Sequence, residues 1–151
     1  MDSLFNLDQA CTFCQITTGE AEASVVYQDD LVTAFMDLFP VTPGHTLVIP
    51  NYHASMITEI DPNTVGHMFA VGVKIDRALR DSDFRCEAVS LYLADGAAAG
   101  QVVLHSHLHI VPRFHGDLCG LHLHAGPAEM ATRKKLEEHA EAIRRSLKSE
   151  I

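Results

Sequence analysis

The sequence lacks any excess of positive charge. Against 20 Asp and Glu residues it has 11 Lys and Arg residues, which gives a formal net charge of −9. General binding to nucleic acid or to an anionic membrane requires a basic face, so this charge argues against both kinds of partner. A small anionic substrate remains compatible with the charge, because a few local hydrogen-bond donors outweigh a distant average.

Long hydrophobic runs are also missing. No stretch reaches the length of about 18 apolar residues that is typical of a membrane span. The N-terminus does not join a basic region to an apolar one, as a secretory signal does. We therefore expect a cytoplasmic protein that has no membrane partner.

Cysteine is scarce, and four residues in a chain of 151 are too few for a disulfide scaffold. Cys86 and Cys119 have no neighbours in sequence that would activate a thiol, so we interpret them as ordinary small residues. Cys11 and Cys14 form a CxxC pair, which in a cytosolic chain indicates metal or redox chemistry. A redox pair is disfavoured because no thioredoxin-like βαβ pattern surrounds it. Zinc binding and two buried free thiols both remain open.

The length suits one domain, and we find no internal repeat, low-complexity tract or linker. Most of the predicted strands are joined by turns of hairpin length. Runs of strands with few crossover helices predict an α+β fold, with an antiparallel sheet of about five strands, one packed helix and a C-terminal helix. The predicted strands are 24–27, 31–36, 45–49, 86–93 and 101–114, and the predicted helices are 61–81 and 130–149.

The clearest chemical signal lies between Gln101 and Phe114, where the sequence reads QVVLHSHLHIVPRF. As a strand, this stretch would place His105, His107 and His109 on one face, since alternate side chains point the same way. Three imidazoles on one face indicate a functional site rather than a fortuitous repeat. The opposite, core-facing side would carry Leu104, Leu108 and Ile110.

Two kinds of chemistry suit such a face. In the first, the imidazoles hold a metal ion that activates water. In the second, one imidazole is the nucleophile, and its neighbours orient it and transfer protons. A neutral imidazole attacks phosphorus well near neutral pH, because its unperturbed pKa is about 6.5. The second mechanism also needs donors for phosphate oxygens, and the turn at Gly100 and Gln101 can aim backbone N–H groups at an anion.

These residues resemble the signature of the histidine-triad (HIT) superfamily of nucleotide hydrolases and transferases. Three blocks carry the resemblance in the family's order, and the first is similar to the start of the zinc-containing bacterial members. We therefore assign a histidine-triad domain to residues 1–114, and a C-terminal loop and helix extension of the same domain to 115–151. The blocks are Cys11-x-x-Cys14-x-Ile16, then Asp37-Leu38 with Pro43-Gly44-His45-Thr-Leu-Val-Ile-Pro50, then Gly100 to Arg113.

The resemblance implies catalytic roles for four histidines. His107 would attack the α-phosphorus and form a nucleotidyl-histidine intermediate. His109 would contact the phosphate, and His45 would orient the triad. His105 would either hydrogen-bond within the site or ligate zinc.

The resemblance also implies a nucleotide pocket, a zinc site and a homodimer. Asp37 would accept the two ribose hydroxyls. The other expected nucleotide-binding positions are Leu38 beside Asp37, the apolar base contacts Phe13, Ile16 and Phe35, and Gly100 and Gln101 at the phosphate. The implied zinc ligands are Cys11, Cys14, His53 and His105.

Two positions depart from the family pattern. Ala94 lies thirteen residues before His107, where many members carry Asn or Gln, and Val102 stands where members carry Ser or Thr. Both changes remove hydrogen-bonding side chains from the phosphate end of the site.

Three functions remain open at this point. The leading one is a nucleotide phosphohydrolase that cleaves at the α-phosphate of a dinucleoside polyphosphate or a nucleotide phosphoramidate. The second is a nucleotide-binding module with little or no catalysis, and the third is a catalytic metal site in an unrelated hydrolase. A separate HxH pair, His122 and His124, is interpreted as part of a solvated loop, with a gating or metal role as its alternative.

Overall fold

The computed structural model describes residues 10–117, 119 and 129–148. His122, His124 and residues 1–9 of the predicted lead-in lie outside these ranges. Two short 3-10 turns, Ile57–Glu59 and Ala97–Ala99, accompany the main elements. In chain order the main helices and strands are α1 (Thr12–Thr18), β1 (Val25–Gln28), β2 (Val32–Met36), β3 (Thr46–Pro50), α2 (Pro62–Asp81), β4 (Ala88–Tyr92), β5 (Leu108–Arg113) and α3 (Arg133–Lys148).

The five strands form one antiparallel sheet in the order β1-β2-β3-β5-β4. A tight turn joins β1 to β2, where the carboxylate of Asp29 accepts the backbone N–H groups of Leu31 and Val32, each at 2.9 Å. Such a side-chain bond to the backbone two residues on is what makes Asp a favoured turn residue. The predicted α+β fold with a five-stranded antiparallel sheet is therefore confirmed.

The long helix α2 covers one face of the sheet. Asp61 caps it by accepting the N–H of Asn63 at 2.9 Å, and Pro62 takes the first helical position, as predicted. Phe69, which we expected in the inward stripe, is instead 40% exposed. It follows Met68 directly and is rotated by about 100° from it on the helix, away from the sheet. The buried residues of the helix include Met68, Val71, Gly72, Ile75 and Leu79.

Helix α3 completes the main core beside α2. Leu136, Ala140 and Ile143 are buried as predicted, whereas Leu147 is only partly buried against the same core. No helix in the described ranges combines the length and the apolar content that crossing a bilayer requires.

The histidine stretch is a strand over less than half of its predicted length. β5 begins at Leu108, and its last pair with β3 joins Leu108 to Val48. Further pairing would soon reach Pro50, which has no N–H group for the ladder. The preceding segment instead bonds to a loop, since the N–H of Ser106 donates to Ala54 O at 2.7 Å. Leu104, expected in the core, is accordingly 62% exposed.

Candidate functional site

The second face of the sheet carries the histidines. The strand register places Phe35, Leu47, His109 and Tyr92 in one row across β2, β3, β5 and β4. Helix α1 packs over this face, and its Phe13 meets Phe35 edge-on with ring centroids 5.2 Å apart. Side chains of the helix and of strands β2 and β3 together form an apolar wall beside the imidazoles. Its buried members are Phe13, Ile16, Phe35, Leu47 and Ile49.

His45 and His109 form a hydrogen-bonded pair on this face. The N–H of Val41 donates to His45 Nδ1 at 3.0 Å, so the proton of the neutral His45 ring is on Nε2. His45 Nε2 lies 2.9 Å from His109 Nδ1 and therefore donates to it. His109 then carries its own proton on Nε2. One backbone amide thus fixes the tautomers of both rings.

His107 has the tautomer that a nucleophile requires. Its Nδ1 lies 2.6 Å from the carbonyl oxygen of His105, which only accepts, so Nδ1 carries the proton and Nε2 has the lone pair. Burial lowers the pKa of His107 below its ordinary value, and the hydrogen bond to His105 opposes part of this shift. The Phe13 ring meets His107 edge-on at 5.4 Å. The imidazole is therefore held neutral and oriented near neutral pH.

Asp37 lies beside the histidine pair. Its Oδ2 is 3.4 Å from His45 Nε2, and its Oδ1 accepts the N–H of Phe39 at 2.8 Å. Leu38, which we expected to join Asp37 in the pocket, packs against the core on the α2 side of the sheet. The structure thus brings Asp37, but not Leu38, to the histidines.

Gly100 and Gln101 are bound within their own turn. The N–H of Gly100 donates to Ala97 O at 3.0 Å, and the N–H of Gln101 donates to Gly96 O at 3.2 Å. The Gln101 amide donates to Ser55 O at 2.8 Å and Val103 O at 3.0 Å. Contrary to our expectation of backbone donors for an anion, these groups brace the loop that leads to His105.

Tyr92 is a site residue that sequence reasoning missed. Its ring is parallel to that of His109, with centroids 4.2 Å apart and an angle of 3° between the planes. The only signal in the sequence is its position in an alternating strand, and the partner depends on the register with β5. That register is a long-range property of the fold.

The four predicted zinc ligands come together at the start of α1. The Sγ atoms of Cys11 and Cys14 lie 3.4 and 3.5 Å from His105 Nδ1, and Cys14 Sγ lies 3.4 Å from His53 Nδ1. All four ligand atoms are within 4.8 Å of one another. A tetrahedral zinc ion separates sulfur and nitrogen ligands by about 3.5 Å, as its bond lengths require. The spacing of the cluster therefore fits zinc.

The tautomer of His105 also fits a metal. Its Nε2 lies 2.9 Å from the carbonyl oxygen of Pro50, so Nε2 carries the proton and Nδ1 presents its lone pair to the two thiols. A backbone carbonyl on the distal nitrogen is one of the usual partners of a metal-bound imidazole. His105 consequently belongs to the Cys/His cluster through its ring, and to the His107 site through its carbonyl.

The fold and the site define an α+β domain whose sheet presents clustered, oriented imidazoles beside an apolar wall. The sequence profile described as "HIT domain" matches residues 18–116. The chain belongs to the HIT family, as the sequence predicted. Members of this family bind nucleotides and are generally hydrolases or transferases.

Curated relatives and solved structures agree with this assignment. An uncharacterised HIT-like protein of Mycobacterium tuberculosis is 39% identical over 85% of this chain and 91% of its own length. Adenylylsulfatase HINT3 of Arabidopsis thaliana is 35% identical over 74% of this chain and 56% of its own length.

Among solved structures, a Zn-bound histidine triad family protein of Mycobacterium smegmatis superposes with a TM-score of 0.80 at 36% identity, covering 94% of this chain and 96% of the other. A hypothetical histidine triad nucleotide-binding protein of Sulfolobus tokodaii gives 0.80 at 32% identity, with 92% and 93% covered.

Proposed function

We propose that the protein is a nucleotide phosphohydrolase, which cleaves at the α-phosphate of a dinucleoside polyphosphate or a nucleotide phosphoramidate. The observation that carries the proposal is the bond from His107 Nδ1 to the His105 carbonyl, because it leaves the Nε2 lone pair for attack. The name of the Arabidopsis relative, an adenylylsulfatase, supports an adenylyl derivative as the substrate class.

The reaction proceeds in two displacements. His107 Nε2 attacks the α-phosphorus, a P–N bond forms, and the bond to the leaving group breaks with its electron pair on that group. Water then attacks the phosphorus and releases a proton to the solvent, and the P–N bond breaks with its electron pair returned to Nε2, so that a nucleoside monophosphate leaves. Splitting one difficult displacement into two in this way is the advantage of covalent catalysis. The His105 carbonyl stabilises the positive imidazole ring of the intermediate through the Nδ1 proton.

His109 supplies a donor for the phosphate. In the proposal, its Nε2 proton, fixed through His45, is donated to an oxygen on which charge develops during each displacement. An oriented donor of this kind is worth about 3 kcal/mol in the transition state, or two to three decades in rate. His45 acts through His109, since its own protons and lone pairs are engaged with Val41 and His109.

The nucleoside is held by the neighbouring groups. In the proposal, Asp37 accepts the ribose hydroxyls, and the base packs against Phe13, Ile16 and Phe35. Leu38, Gly100 and Gln101 shape the surrounding loops rather than contact the nucleotide. The packing of Leu38 and the hydrogen bonds of Gly100 and Gln101 support this division.

We further propose that zinc binds Cys11, Cys14, His53 and His105, and that the enzyme is a cytoplasmic homodimer. Bound zinc would supply structural cross-linking: it would tie α1 to the segment that carries the nucleophile. Size-exclusion chromatography with light scattering measures the oligomeric state, and a mass of one chain contradicts the dimer.

A nucleotide-binding module with little catalysis is the second candidate, and Ala94 and Val102 favour it. Val102 is 83% exposed and offers no side-chain donor to a leaving group. Incubation with diadenosine polyphosphates and with adenosine 5′-phosphoramidate separates the two functions. The hydrolase predicts turnover that His107→Ala abolishes, whereas tight AMP binding with equal turnover in both proteins identifies the binding module.

A further inference from the structure

Tyr92 is a half-buried aromatic residue to which the mechanism above gives no task. It lies at the end of β4, directly opposite His109 of β5. The parallel stack between the two rings, at 4.2 Å and 3°, covers one face of the imidazole. Cross-strand neighbours are the side chains that contact each other most closely in an antiparallel sheet.

A hydrogen bond at one nitrogen does not by itself fix the plane of an imidazole. The contact from His45 Nε2 restrains the His109 ring at one edge, at Nδ1, and a hydrogen bond tolerates a range of angles. The ring of Tyr92 adds a restraint across one face of the imidazole, because a tilted ring would either clash with the phenol or lose the stack. Together the two contacts determine where the His109 Nε2 proton points.

The hydroxyl of Tyr92 takes no part in this arrangement. Its oxygen is buried and has no hydrogen-bond partner among the described residues. Burial, together with the charge of Asp37, raises the pKa of Tyr92 to about 12, so the phenol is neutral at physiological pH. An unpaired buried hydroxyl is unfavourable for a fold, so the contribution of this residue comes from its ring.

We propose that Tyr92 is a positioning residue, whose ring holds the His109 imidazole in the plane that directs its Nε2–H donor at the α-phosphate. The proposal rests on the phosphohydrolase function above, since it assigns Tyr92 a part in the same site.

Two substitutions separate the ring from the hydroxyl. With adenosine 5′-phosphoramidate as substrate, Tyr92→Leu is expected to lower kcat about 10- to 100-fold through misplacement of a catalytic group, with KM changed less than about twofold. Tyr92→Phe keeps the stack and is expected to retain kcat within about twofold, with a higher unfolding temperature. An equal loss of kcat in both variants would overturn the proposal, because it would assign the role to the hydroxyl.

A second experiment tests whether Tyr92 acts through His109. In a His109→Ala background, Tyr92→Leu should have no further effect on kcat, whereas independent roles give multiplicative losses and contradict the proposal. Val89→Ala is the matched control: it removes a core-side contact from the same strand and should leave kcat unchanged at equal folded fraction.

The failure of this proposal can be distinguished from failure of the proposed function. Equal turnover by wild type and His107→Ala would overturn the proposed phosphohydrolase function, but it would not test the stack between Tyr92 and His109.

The NMR signals of the His109 ring protons report the stack directly, with AMP as the added probe. They should shift downfield in Tyr92→Leu and not in Tyr92→Phe. If the His109 signals and their AMP-induced changes are the same in wild type, Tyr92→Leu and Tyr92→Phe, the positioning role of Tyr92 is overturned.

Discussion

At the scale of single residues, backbone groups determine the chemistry of the site. Val41 N–H fixes the tautomer of His45, and through it that of His109. The carbonyl of His105 fixes the tautomer of His107, and the carbonyl of Pro50 fixes that of His105. Each of these four histidines therefore has a defined donor and acceptor nitrogen before any ligand binds, which in the proposed reaction would reduce the cost of ordering the site.

The carboxylate of Asp37 gives the first residue-level prediction. If it accepts both ribose hydroxyls, wild type should bind AMP about 10-fold or more tightly than 2′-deoxy-AMP, because a hydrogen bond to a charged group contributes about 1.5–3 kcal/mol. Asp37→Ala should bind AMP more weakly and should discriminate less than about threefold between the two ligands. Isothermal titration calorimetry measures both affinities. Undiminished discrimination in the variant would remove Asp37 from the ribose site.

At the scale of secondary-structure elements, the sheet separates the site from the main core. Helix α2 approaches β5 closely at Gly72, where an added Cβ would lie 3.0 Å from Ile110 Cδ1 and 3.2 Å from Leu108 Cδ2. Leu108 and Ile110 flank His109 in β5, so their side chains point to the opposite face of the sheet. The close helix packing therefore supports the strand that carries the last histidine of the triad.

Gly72→Ala should consequently destabilise the protein by about 1–3 kcal/mol, since the extra methyl group overpacks a tight contact. Gly66 provides the matched control in the same helix, because a Cβ there meets nothing within 4 Å. Gly66→Ala should stabilise the protein by up to about 1 kcal/mol through its higher helix propensity. Urea unfolding compares the variants, and equal effects of the two substitutions would contradict the packing account.

The Cys/His cluster gives a second prediction at this scale. Cys14→Ser should lose the metal, as measured by elemental analysis, and should unfold at a lower temperature because α1 is no longer tied to His105. Cys86→Ser is the control, since Cys86 lies away from the cluster, and it should keep one zinc per chain. Metal content that is equal in the two variants would show that these thiols do not hold zinc.

The sequence predicted those parts of the fold that depend on local signals. Asp61 and Pro62 mark the start of α2, and the turn at Asp29 marks the first hairpin. The triad was expected from its spacing and the zinc ligands from the resemblance to the histidine-triad superfamily, and the structure brings each set together. The limits of β5, the exposure of Leu104 and the stack on Tyr92 were not predicted, because they depend on Pro50, Ala54 and the register between distant strands.

At the scale of the whole molecule, an acid-sensitive contact joins the hairpin to α2. His67 Nε2 lies 2.5 Å from Asp29 Oδ2, and the hydroxyl of Tyr27 donates to the same oxygen at 2.7 Å. Partial burial acts to raise the pKa of Asp29. Hydrogen bonds from His67, Tyr27 and the turn backbone outweigh it and hold that pKa well below its usual range. The carboxylate is thus stabilised in the folded protein.

This lowered pKa predicts the direction of a pH effect on stability. Because the folded pKa lies below the unfolded value of about 3.9, the contribution is present above about pH 4 and is lost as the pH falls. The free energy of unfolding should therefore decrease less steeply below about pH 4 in Asp29→Asn than in wild type. Asp30→Asn, at an exposed position in the same turn, is the control and should keep the wild-type slope. Chemical denaturation over the acid range measures all three, and a wild-type slope in Asp29→Asn would contradict the assignment.

The central claim is that His107 Nε2 becomes covalently bonded to phosphorus during turnover. Its most direct test mixes the protein with adenosine 5′-phosphoramidate, quenches in base, where a P–N bond to histidine survives, and measures intact mass. The account predicts an increase equal to one adenylyl group, which peptide mapping assigns to residue 107 and which is absent in His107→Ala. Turnover without this adduct, or an adduct on another residue, would contradict it.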